Sequence, residues 1–188
     1  TDRPPHRNSL TSARQGYVLF DEDLHGERYE DGIRTAVRAW CDDRAAAKAE
    51  YGPIASWNTS EITDMSWLCY DKAGFNEDIS RWDVSNVTSL DCTFYGATSF
   101  NGDLSRWDVW NVTDMACMFY GATSFNGDLS RWDVSNVTDM GYVFCHAASF
   151  DQRLGGVWAR STASKLGMFL QCPGSIQGKT NDGVGTPL

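Results

Sequence analysis

The residues of this 188-residue chain that could do chemistry are six cysteines, three histidines and recurring aspartates, arginines and tryptophans. Catalysis or metal binding needs such groups at set spacings, and the sequence does not supply them. His6, His25 and His146 lie far apart, and no Cys/His spacing matches a zinc site. Asp42-Asp43 and the recurring Asp78, Asp103 and Asp128 are carboxylates that nothing pairs for acid–base work. The stretch DEDLHGERYE is only a distant echo of a DxDxDG calcium loop. The expectation is therefore a non-enzymatic protein with no catalytic, metal or cofactor-binding residues.

What positions these side chains is a repeat. Trp57, Trp82, Trp107 and Trp132 are 25 residues apart, in the frames ASWNTSEITDM, SRWDVSNVTSL, SRWDVWNVTDM and SRWDVSNVTDM. Phe75, Phe100, Phe125 and Phe150 keep that period, as do Ile79, Leu104, Leu129 and Leu154. A fifth copy, LGGVWARSTASKLGMFLQC, keeps Phe169 in register with Phe144 and reads as having lost the tryptophan. A fixed period of about 20–50 residues signals stacked units, each too small to bury a core alone.

Within one unit, Val112, Met115 and Phe119 have helical spacing, with Asn111 placed as N-cap and Gly121 as exit. Phe125 to Val134 reads as extended, with a parity slip that implies a bulge near Ser130-Arg131. Together these predict an α/β repeat: a short, leucine-rich-repeat-like, right-handed solenoid of four to five 25-residue coils with an N-terminal helical cap.

The expected layout is an extended N-terminal tail over 1–30, a helical cap over 31–52, a repeat solenoid over 53–172 and an extended C-terminal tail over 173–188. The coils fall near 57–81, 82–106, 107–131 and 132–156, with the decayed copy at 157–172. In the cap, Ile33, Ala36, Val37 and Trp40 form an apolar stripe. Asp42 or Asp43 is placed to cap a second helical turn, RAAAKAEY, which stops at Gly52-Pro53. GPIASW supplies a strand-like lead-in to the first coil.

The string MFYGATSFNGDLSRWDVSNVTDM resembles the BspA-like leucine-rich-repeat surface proteins, and more narrowly their 25-residue branch first noted in mycoplasma lipoproteins. The resemblance covers about residues 51–172, and the lead-in IRTAVRAWCDDRAAAKAEYGPIASW extends it to about residue 31. It implies a leucine-rich-repeat-like solenoid used for cell-surface adhesion or protein interaction. Gly102 and Gly127 replace the usual Gln of that family, and Trp110 replaces Ser.

Net charge narrows the partners. At −9 the chain lacks the basic patch that nucleic-acid binding calls for, and no apolar run approaches the ~18–20 residues of a membrane span. Expected partners are other proteins, through a secreted or cell-surface module. The alternative is an accessory subunit of a large assembly, for example in an organelle lumen, with both tails threading along neighbours. A carbohydrate-binding module is a third reading.

Candidate partner contacts are Trp110, which occurs in one coil only, and two charged files, Arg81, Arg106, Arg131 and Asp83, Asp108, Asp133. The tryptophan column reads as core and the Asn76, Asn101, Asn126 column as a structural ladder. The sequons at Asn86, Asn111 and Asn136 sit at the expected helix cap, which makes them poor glycosylation acceptors. An even cysteine count permits disulfides in an oxidising compartment. Cys41–Cys69 and Cys145–Cys172 are placed to staple the two ends, with reduced core cysteines as the alternative. Cys92 and Cys117, on neighbouring helices ~8–10 Å apart, are expected to lie beyond the ~7 Å Cα reach of a disulfide.

Overall fold

The computed structural model describes residues 32–178. Two helices open it. α1 (Ile33–Asp42) buries Ile33, Ala36, Val37 and Trp40, the stripe expected from their spacing. Asp43 leaves the helical region at φ −144° and caps α2 (Arg44–Tyr51), its Oδ1 accepting the amides of Ala45 and Ala46 at 3.0 Å each. α2 stops at Gly52, whose φ of 74° costs least for a residue without a Cβ. A 3-10 turn at Ile54–Ser56, rather than a strand, then leads into the repeats.

The repeats are built from tight turns. The expected helix over Asn111–Phe119 is not formed. The amides of Met118, Tyr120 and Ala122 do bond back three residues, to Met115, Cys117 and Phe119. The alternating amides of Met115, Cys117, Phe119 and Gly121 reach instead to the carbonyls of Asp139, Gly141, Val143 and Cys145 in the next repeat, at 2.8–3.0 Å. A helix would need every one of these amides for its own i−4 carbonyls. Val112, Met115 and Phe119 are buried as their spacing implied, because a succession of turns buries the same positions. The segment expected to be extended is also turned, the amide of Trp132 bonding to Leu129 O at 3.2 Å.

The same pattern joins every pair of repeats. Parallel bridges link Asp64 to Ser89, Ser89 to Asp114, Asp114 to Asp139 and Asp139 to Ser164. In the second repeat, the carbonyls of Ser89, Asp91, Thr93 and Tyr95 accept from the first repeat, while the amides of Leu90, Cys92, Phe94 and Gly96 donate to the third. The four peptide groups between those residues therefore all point the same way along the stack.

Alternation of this kind needs left-handed residues. Trp67, Cys92, Cys117, Tyr142 and Gly167 share one file with φ of 62, 53, 53, 57 and 61°. Four of the five are not glycine, and each such residue costs roughly 1–2 kcal/mol that the interrepeat bonds must offset.

Aromatic files fill the interior. Indoles of Trp57 and Trp82, Trp107 and Trp132, and Trp132 and Trp158 stack at 6.0, 6.4 and 6.3 Å. The Nε1–H groups of Trp82, Trp107, Trp132 and Trp158 donate to the carbonyls of Ile54, Ile79, Leu104 and Leu129. Trp158 corrects the reading that the fifth copy loses its tryptophan. It lies one residue late, and the short helix α3 (Gly156–Arg160) absorbs the extra residue.

Two phenylalanine files run alongside and pair face to face, Phe119 with Phe125 at 3.9 Å and Phe144 with Phe150 at 3.9 Å. The asparagine ladder expected at Asn76, Asn101 and Asn126 is present: the Oδ1 of each accepts the amide 25 residues on, at 2.9, 2.9 and 3.1 Å. The ordered chain runs past the expected end at 172, since β1 (Arg153–Leu154) pairs in parallel with β2 (Ser175–Ile176) and Ile176 is buried.

Two outcomes follow. Trp107→Phe keeps a ring in the file and removes one of two bonds to the Ile79 carbonyl, which still accepts the Trp82 amide, and should cost about 0.5–1.5 kcal/mol in urea unfolding; Trp107→Ala should cost about 3–5 kcal/mol. Burial, with Asp91 and Asp139 nearby, raises the Asp114 carboxyl above its ordinary range. A carboxyl raised by folding contributes most at low pH and loses that contribution as pH rises through its folded value. Asp114→Asn, which can still accept the Ala116 amide, should therefore raise stability at pH 7, with the gain fading in acid.

Candidate functional site

Beside the left-handed turns the repeats present aromatic rings. Tyr70, Tyr95 and Tyr120 stack at 4.8 and 4.6 Å, with planes 22° and 2° apart. Trp67 tilts against Tyr70 at 4.9 Å, and the His146 ring stands edge-on to Tyr120 at 5.3 Å. Trp67 is 50% exposed and Tyr142 36%. Partial burial, followed by the neighbouring phenols at Tyr95 and by the Cys145 thiol at Tyr120, pushes both hydroxyls up, so both remain neutral donors near pH 7. Because the rings cover one another's faces, the file offers its edges and hydroxyl groups. The sequence signal for it was FYG recurring at 94–96 and 119–121, which sequence reasoning treated only as a helix exit.

The two ends of the stack differ chemically. The first repeat has no predecessor to donate to its carbonyls. Arg34 of α1 takes that role: Nη2 donates to Asp64 O at 3.2 Å and to Ser66 O at 3.1 Å, and Nε to Ser66 O at 3.2 Å. It also pairs with the Asp64 carboxylate at 3.1 Å. Arg34, Arg38 and Lys72, with Trp67, Leu68 and Tyr70, line an open cleft of about 440 Å³. Cations thus gather where aligned carbonyls concentrate negative charge, as they do at helix C-termini. At the opposite end, the amides of Gly167, Phe169 and Gln171 have no hydrogen-bond partner among the described residues. Leu166 and Leu170 beside them are 57% and 40% exposed.

The contact residues expected from sequence lie elsewhere on the repeats. Trp110 is 50% exposed, its amide donating to Asp108 Oδ1 and its carbonyl accepting from Asn136. Arg81, Arg106 and Arg131 are exposed. Their charge acts on Asp78, Asp103 and Asp128, carboxyls lowered chiefly by Ser80, Ser105 and Ser130 and further by the arginines. Asp83, Asp108 and Asp133 instead close their own turns, each accepting the amide two residues on. Asn86, Asn111 and Asn136 are not helix caps. Their Nδ2 groups donate to the carbonyls of Ser60, Ser85 and Trp110 in the preceding repeat, and Nδ2 is the atom a glycan would modify.

All six cysteines are free, so neither Cys41–Cys69 nor Cys145–Cys172 is bonded in this structure. Burial, with Cys41 nearby, raises the Cys69 thiol, and burial, with Cys145 nearby, holds Cys172 at about 11. Of the tails expected to thread along partners, the one over 1–30 lies outside the described residues, as does the stretch 179–188 of the one over 173–188. Among the described residues, no group of three His, Cys, Asp or Glu side chains could hold a metal, and no helix is long and apolar enough to cross a membrane.

A family model described as "Mycoplasma protein of unknown function, DUF285" matches residues 42–158, and the chain belongs to this family. No curated protein and no solved structure matches it.

Removing the Arg34 guanidinium should open the first repeat. Arg34→Ala is expected to cost about 1.5–3 kcal/mol, the scale of hydrogen bonds to a charged donor. Amide hydrogen exchange should quicken at Trp67, Cys69 and Asp71, with Cys117 and Phe119 unaffected; uniform quickening would show that Arg34 does not act at the end of the stack.

Proposed function

We propose that this member of the family is a non-enzymatic protein-interaction module, built as a short right-handed leucine-rich-repeat-like solenoid and working at the cell surface or in secretion, as the BspA-like resemblance implies. The observation that carries the reading is the surface aromatic file led by the exposed Trp67 and Tyr70 and continued through the half-buried Tyr95 and Tyr120. Tyrosine and tryptophan combine large contact area with low conformational entropy, which is why they dominate protein-binding surfaces.

Charge narrows the partner. The basic lining of the cleft beside Trp67 favours a segment that brings carboxylates to Arg38 and Lys72 while its apolar side chains lie on the rings. The carbohydrate reading has less support. A sugar stacks on a ring face, and here the tyrosine faces are covered by one another and the core indoles are buried. Trp110, and Trp67 where it tilts against Tyr70, are the exposed indoles left for that role.

A photo-cross-linking amino acid at Tyr95, set against one at Trp110, tests the assignment on intact source cells. A discrete protein adduct from Tyr95, reduced at least tenfold by Trp67→Ala, is the expected result. Glycan-array binding that Trp110→Ala abolishes, with no adduct from Tyr95, would replace the protein-docking reading with the carbohydrate one.

A further inference from the structure

We propose that Cys92 and Cys117 are a redox site: a disulfide forms between them, tying the second repeat to the third, when the protein meets a small-molecule disulfide. Helix-on-helix packing would have kept these residues apart, but the repeats are joined by strand-like hydrogen bonds. The parallel bridge between Ser89 and Asp114 lies three residues before the pair. The Cys92 amide itself donates to Ala116 O at 2.9 Å. Three residues beyond, the Tyr95 and Tyr120 rings stack at 4.6 Å with planes 2° apart. Register is therefore held on both sides of the cysteines at a strand spacing of ~4.8 Å, inside the roughly 4.4–6.8 Å window of Cα separations that disulfides span.

Both residues have φ 53°, so their Cα–Cβ bonds leave the backbone alike and the thiols lie side by side; the bridge requires the Cβ atoms to close from ~4.8 Å to roughly 3.5–4.5 Å. The two thiols interact, each perturbing the other's ionisation. Along the file Trp67, Cys92, Cys117, Tyr142 and Gly167, the two cysteines are neighbours. Cys117 is partly exposed and Cys92 is buried at 5% exposure, which assigns the first attack to Cys117.

With oxidised glutathione as the oxidant, Cys117 gives its proton to solvent. Its thiolate then attacks one glutathione sulfur, breaking that S–S bond and releasing a glutathione thiolate. Cys92, once deprotonated, attacks the Cys117 sulfur and expels the second glutathione thiolate. Two protein thiols are oxidised and one glutathione disulfide is reduced to two thiols. Burial, then the carboxylates of Asp91, Asp114 and Asp139, hold the thiols protonated above their usual range, and the phenols of Tyr95 and Tyr120 lie beside them. Formation should accordingly quicken as pH rises.

The test uses the full chain with oxidised glutathione at about pH 8.5. Trypsin cuts after Arg81, Arg106 and Arg131, leaving Cys92 and Cys117 on separate peptides, 82–106 and 107–131. The expected result is those two peptides linked within a monomer, reversed by reductant, with the urea midpoint about 1 M higher for the cross-linked protein. Cys92→Ser should trap glutathione on Cys117, and Cys117→Ser should leave Cys92 unreacted. Four outcomes would overturn the proposal: linkage found only in covalent dimers, bridges confined to Cys41–Cys69 or Cys145–Cys172, a glutathione adduct on wild-type Cys117 that Cys92 never displaces, or no loss of either thiol. Peptide mapping of the wild type decides between these even if a variant fails to fold.

Discussion

The forward-reaching amide is the bond on which the molecule depends. Each repeat donates alternate N–H groups to the repeat after it and accepts on its carbonyls from the one before. Those bonds leave too few amides for a helix, impose left-handed φ at residues such as Cys92 and Tyr142, and hold successive repeats at the spacing that lets rings stack. Indole, phenyl and phenol files then follow from one identity in sequence repeated at one distance in space. Buried indole N–H groups run the other way, each donating to a carbonyl of the previous repeat, so the core carries polar bonds that fix register as well as apolar area.

Alignment of peptide groups gives the stack a sense of direction. A polar backbone cannot end at a buried edge without partners, and the first end is closed by a helix that brings Arg34 to two carbonyls. One side chain there substitutes for a missing repeat. The cationic cleft beside it belongs to the same closure, since the groups that offset the carbonyl end also shape the surface next to Trp67.

Much of this was legible in the residues. Period and side-chain columns followed from the tryptophan and phenylalanine spacing; α1 and α2 followed from the Ile33, Ala36, Val37, Trp40 stripe, from Asp43 and from Gly52. The backbone within a repeat was not legible. Val112, Met115 and Phe119 are buried at helical spacing in a chain of turns, because burial records which side chains face inward and not which carbonyl each amide meets. Left-handed φ at Trp67, Cys92, Cys117 and Tyr142 carries no glycine signal; only Gly167 in that file, and Gly96 and Gly121 in the neighbouring one, hinted at it. The role of Arg34 carries no local signal, since the carbonyls it meets lie 30 and 32 residues away. Trp158 escaped because a single inserted residue breaks a strict count without breaking the stack.

The sameness of every interrepeat joint has an evolutionary corollary. A duplicated block of 25 codons, placed between any two existing repeats, arrives with a partner for each group it meets on either side, and it leaves both termini of the array as they were. Length can change by recombination in one step without a new closure having to be invented, whereas the outward aromatic surface changes one codon at a time. Descendants of such a chain would diverge first in how many rungs they carry.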